Sequence, residues 1–121
     1  DPAKQAQLRK QSVLSDFYLG SVHAIAETGE ILIASNSGSQ LPHVVFTSQN
    51  LLLVVGAQKI VPTLADAFSR LEKHVIPLED DRMQKAMHMG TYPSKILVVN
   101  REPAFMGRKS HIIFVNEKLG F

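Results

Sequence analysis

The chain has 121 residues, 45% of them apolar and 20% charged, with 13 Lys and Arg against 11 Asp and Glu and no cysteine or tryptophan. That is the size of one soluble domain, for which about 100 to 200 residues is usual. Without cysteine the chain itself excludes disulfides, thiolate zinc sites, iron–sulfur ligation and a cysteine nucleophile, and a formal charge of +2 is too small to argue for nucleic acid.

The longest apolar run, Leu51 to Val55 followed by Gly56 and Ala57, is far short of the about 18 residues a membrane span needs. The chain opens on Asp1-Pro2 with no charged-then-apolar leader, which reads as a trimmed product with no signal for secretion.

From the N-terminus, Ala3 to about Phe17 is polar with apolar points at Leu8, Val13, Leu14 and Phe17, a spacing that predicts an amphipathic helix behind Pro2. Glu30 to Ala34 is a short apolar run between Gly29 and the turn cluster Ser35-Asn36-Ser37-Gly38-Ser39, and predicts a buried strand. Pro42 is tolerated in a first helical turn and Ser39 can cap it, so a short helix is expected from about Ser39 to Phe46. Leu51 to Val55 does not alternate and reads as a central strand buried on both faces.

Thr63 followed by Asp66 forms a capping pair ahead of Leu64, Ala67, Phe68 and Leu71, whose spacing predicts a helix to about His74. His74 to Ile76 is expected to be a short strand. Asp80 then caps a helix that places Met83, Ala86 and Met87 on one face, with Met83, Met87 and Met89 as core filler. Two last strands, Lys95 to Asn100 and His111 to Asn116, are expected to form an antiparallel pair. Strands alternating with helices predict a three-layer α/β domain with a mainly parallel sheet flanked by helices.

No dinucleotide fingerprint, P-loop or nucleophile elbow is present. The five histidines, at positions 23, 43, 74, 88 and 111, lie at least fourteen residues apart, so no local metal-ligand spacing exists and no metal or cofactor is expected. Three loops can carry chemistry. In Asn36, Ser37, Gly38 and Ser39, amides and hydroxyls between a strand and a helix can face an anion, or simply close a turn. Glu27, with Thr28 and Gly29, precedes a buried strand; in apolar surroundings its carboxyl would be raised in pKa and serve as base or nucleophile, and otherwise it caps a turn. Lys59 follows the central strand at the carboxyl edge of a parallel sheet, where it can neutralise an anionic ligand or stand solvated.

Three stretches share one resemblance. Ala24-Ile25-Ala26-Glu27-Thr28-Gly29, the segment Val54 to Leu64 containing Gly56-Ala57-Gln58-Lys59-Ile60-Val61-Pro62, and Ile112 to Phe121 resemble, in order and spacing, the lactate-utilisation (LUD) domain family. The resemblance covers about residues 17 to 121. Family domains are generally longer, so the chain is expected to be the later, N-terminally incomplete part of one.

The resemblance implies a fold similar to the ribose-phosphate isomerase, glucosamine-phosphate deaminase and CoA-transferase group. It also implies a cytoplasmic setting and a place in lactate oxidation to pyruvate beside iron–sulfur partner proteins. Some relatives carry cysteines ahead of the last strands; this chain has none, so electrons would pass through a partner. The expected role is an accessory domain binding a carboxylate or phosphorylated metabolite. The alternatives are an isomerase or acyl-transferase using Glu27, and a structural subunit that self-associates as a homo-oligomer.

Overall fold

The computed structural model describes residues 1–91 and 93–121. Its elements are α1 (Pro2–Gln11), β1 (Phe17–Gly20), β2 (Ala24–Ala26), β3 (Ile31–Ser35), a π-helical turn His43–Thr47, β4 (Asn50–Gly56), β5 (Ile60–Val61), α2 (Leu64–Arg70), α3 (Ile76–Met87), β6 (Lys95–Val99) and β7 (Lys109–Val115). The strands divide between two sheets. One is wholly parallel in the order β1-β4-β7; the other is mixed, in the order β5-β2-β3-β6.

Alternation along β3 explains the layering. Ile31 and Ile33 point to one face, where they pack with Val22 and Ile25 against Leu51, Leu53 and Val55 of the parallel sheet. Leu32 points to the other and joins Ala24 against Ala67, Leu71 and Val75 of the helices. The result is the expected three-layer α/β fold, ordered as helices, mixed sheet, parallel sheet. Among the described residues, no helix is long and apolar enough to cross a membrane.

Several local expectations are corrected. Phe17 begins β1 instead of ending a helix, and α1 buries no residue; of the expected helix's apolar points, Val13 is half-buried while Leu14 is 81% exposed. Strand β4 is central to its sheet but buries only one face: Leu51, Leu53 and Val55 are buried, while Leu52 is exposed on an outer face it shares with Phe17 and Leu19. The short helix expected from about Ser39 to Phe46 is present over 41–47, with Pro42 in its first turn and a π-helical turn over His43–Thr47.

His74 to Ile76 is helix, not strand. Leu71 and Val75 continue the buried stripe of Ala67, and a π turn over Leu71–Val75 carries the chain from α2 into α3. That wider spacing accommodates Pro77, which lacks an N–H and would clash with a carbonyl in a regular interior turn. Asp80 therefore lies inside α3, where its Oδ1 accepts the Thr91 amide 3.0 Å away. Met87 and Met89 are exposed rather than core filler. The last two strands do not pair: β6 runs antiparallel to β3, and β7 parallel to β4.

The Thr63–Asp66 capping box is present as expected, with Thr63 Oγ1 accepting the Asp66 amide and Asp66 Oδ2 accepting the Thr63 amide, each at 3.2 Å.

Candidate functional site

The parallel strands β1 and β4 end at Gly20 and Gly56, and β7 at Val115, so the segments that follow them gather at one edge of the sheet. The carboxyl ends of parallel strands are where α/β folds place ligands, because the chain must turn there and leave a crevice. A cleft of about 520 Å³ opens at this edge. Its walls include His23, Ser35, Asn36, Ser37, Lys59 and Glu79.

Lys59 sits at the end of a single 3₁₀ turn behind β4 and is only 8% exposed. Its Nζ donates to the Val22 carbonyl at 2.9 Å and to Ser21 Oγ at 3.3 Å. Two of its three protons are thus fixed, and among the described residues it takes part in no ion pair. Burial, and then the Arg70 guanidinium, push its pKa below the ordinary lysine value.

His23 leads into β2, and its Nδ1 accepts the Ala34 amide hydrogen at 3.0 Å. Burial lowers its pKa first; the Lys59 and Arg70 charges act in the same sense and Glu79 against it. The Glu79 carboxylate is held ionised chiefly by its hydrogen bonds with Arg82.

The end of the chain closes one side. Gln58 donates from Nε2 to the Leu119 carbonyl at 2.7 Å and accepts the Leu119 amide on Oε1 at 3.3 Å. Arg70 donates to the backbone oxygen of Phe121, which also lies 2.9 Å from His74 Nε2. Two glycines permit the close approach. A Cβ on Gly56 would stand 2.8 Å from the Leu119 nitrogen, and one on Gly120, whose φ is +68°, would stand 3.3 Å from Lys59 Nζ.

The residues singled out in the sequence are not all brought together. Lys59, Asn36 and Ser37 line the cleft. Gly38 and Ser39 lie in the adjoining turn, but their amides are taken by Ser35 Oγ at 2.8 Å and Ser37 Oγ at 3.3 Å, so they close the turn instead of facing an anion.

Glu27, Thr28 and Gly29 form the β2–β3 hairpin turn, closed by the Gly29 amide on the Ala26 carbonyl and permitted by a φ of +111° at Gly29. This turn is at the far end of β3 from Ser35, about 13 Å along a strand rising about 3.3 Å per residue. Glu27 is exposed there, not in the apolar surroundings expected of it, while the Thr28 hydroxyl binds Glu30.

His23 and Glu79 were missed. The signal available for His23 was its place one residue before a buried strand, next to Val22; Glu79 was hidden by reading a strand across His74 to Ile76. Among the described residues, no three His, Asp or Glu side chains come together as a metal site.

The LUD domain family model matches residues 1–115. The chain belongs to the LUD domain family. The match includes the first sixteen residues, which the sequence resemblance did not cover, and stops before the segment Glu117 to Phe121 that meets Gln58, Arg70 and His74 beside the LUD cleft. Comparison with curated proteins and with solved structures gave no match.

Proposed function

We propose that this LUD domain binds a small anionic metabolite, a carboxylate or a phosphorylated compound, with the anion against Lys59. The observation that carries the reading is a buried ammonium at the carboxyl ends of β1 and β4 with no acidic partner among the described residues. Holding such a charge out of water costs several kcal/mol, and an anion entering the cleft offsets that cost.

Family membership points to a role associated with lactate utilisation, with which a carboxylate ligand agrees. Iron–sulfur partner proteins are the proposed electron carriers of that system, since this chain holds no cysteine. The enzymatic alternative built on Glu27 finds no support in the geometry, because Glu27 is at the other end of β3 from Lys59.

Titration with inorganic phosphate and with acetate, followed by amide NMR shifts, tests the reading. Shifts are expected at Ser21 to His23, Ser35 to Ser37 and Lys59. In Lys59→Met, losing a charge-assisted bond of about 1.5–3 kcal/mol weakens binding roughly ten- to a hundredfold. Unchanged affinity in a folded Lys59→Met, or shifts confined to other surfaces, would sink the proposal.

A further inference from the structure

Anion binding at Lys59 leaves His23 without a role, although it lines the same cleft. Its Nδ1 accepts a hydrogen from the Ala34 backbone amide, and a ring nitrogen that accepts from an N–H carries no proton of its own. The neutral ring must therefore hold its proton on Nε2. Among the described residues, Nε2 has no hydrogen-bond partner, and it is not sealed from solvent.

The surroundings keep the ring in this state. Lys59 behind β4, Arg70 on α2 and Glu79 on α3 are the charged groups acting on it, and burial with the two cations outweighs the carboxylate. Protonation at Nδ1 would also set two N–H groups against each other at Ala34. The cleft thus holds two different donors, a charged one at Lys59 and a neutral one of fixed direction at His23.

We infer, resting on the anion reading above, that His23 is the specificity-determining residue of the cleft: its Nε2–H selects anions that carry an uncharged acceptor oxygen, such as a carbonyl, beside the charged group. An anion without that oxygen leaves the Nε2–H unpaired once water is displaced, which is how a polar site rejects an analogue lacking the matching group.

The test compares 2-oxobutyrate with butyrate, which carry the same charge and differ at one carbon, by NMR titration of the wild-type chain and of His23→Asn. The asparagine Oδ1 can still accept the Ala34 amide, while the Nε2–H is gone. The expected result is a preference of about three- to tenfold for 2-oxobutyrate in the wild type, the size of one hydrogen bond. In His23→Asn that preference disappears, and the two acids bind with equal affinity.

Imidazole nitrogen shifts of the wild type supply an independent measurement and should show the Nε2–H tautomer at neutral pH. Equal affinities in the wild type, a preference that survives in His23→Asn, or a proton on Nδ1 overturns the inference alone. If neither acid nor inorganic phosphate binds, the anion reading falls and takes this one with it.

Discussion

Arg108 offers the sharpest test of how the two sheets are held in place. Its side chain is 4% exposed, and its guanidinium spans the end of the turn His43–Thr47. Nε donates to the Ser48 carbonyl at 3.0 Å, one terminal nitrogen to the His43 carbonyl at 2.9 Å, and the other to the Val44 carbonyl and Glu102 Oε1, both at 3.0 Å. The Val44 and Ser48 carbonyls are among those a helical turn leaves unpaired at its C-terminus, the His43 carbonyl also takes the Ser48 amide, and Val44 beneath them is fully buried in the core between the sheets.

Replacing Arg108 by Met keeps the stem but strands the Val44 and Ser48 carbonyls and takes the cation from Glu102, while the His43 carbonyl keeps the Ser48 amide. Two charge-assisted bonds to backbone carbonyls at about 1.5–3 kcal/mol each put the cost at about 3–6 kcal/mol, to which the partly exposed Glu102 carboxylate adds little. Arg108→Lys should recover part of this, because a point charge reaches fewer carbonyls than the planar fork. With a urea slope of about 1–3 kcal/mol/M for a small protein, the Met variant should lower the urea midpoint by at least about 1 M. A Met variant within about 1 kcal/mol of the wild type would refute the reasoning, placing these contacts with ordinary surface ion pairs.

Other outcomes follow from single contacts. Thr63→Ala removes the hydroxyl that accepts the Asp66 amide and leaves the backbone half of the capping box, the residue 63 amide on Asp66 Oδ2, in place; it should cost about 1 kcal/mol in urea unfolding, and no loss would mean α2 is fixed by packing alone. Gly56→Ala drives a methyl toward the Leu119 nitrogen, 2.8 Å from where its Cβ would stand, and should destabilise by about 1–3 kcal/mol while shifting the NMR signals of Leu119 to Phe121. Unchanged signals there would show that the segment is not held against Gly56. For His23 the folded pKa lies below the ordinary value, so between the two values the unfolded chain binds more protons and stability rises with pH. Stability should therefore fall as pH drops from about 6.5 through the folded pKa. His23→Asn should flatten that part of the profile, and an unchanged slope would assign it to another group.

What could be read from the chain alone was whatever depends on short range. The capping pair at Thr63 and Asp66, the apolar spacing after it, the strands around Ile31 to Ala34 and Leu51 to Val55, and the family stretches all lie within a few residues of their partners. Lys59 could also be placed, because a residue just past a buried parallel strand has only the carboxyl edge of the sheet to occupy. Periodicity failed where two patterns competed: the π turn that lets Pro77 sit inside a helix looks, from Val75 and Ile76, like a strand.

Tertiary structure decided which residues share a site. The hairpin turn puts Glu27 at one end of β3 and the cleft at the other, a matter of strand direction that no local spacing carries. His23 joined the cleft because β2 pairs with β3, and it shares the cleft with Lys59 because the parallel sheet ends there. The absence of cysteine, plain from composition, fixed what this chain cannot do with electrons; that Lys59 and His23 line one cleft is decided only by the packing of the two sheets.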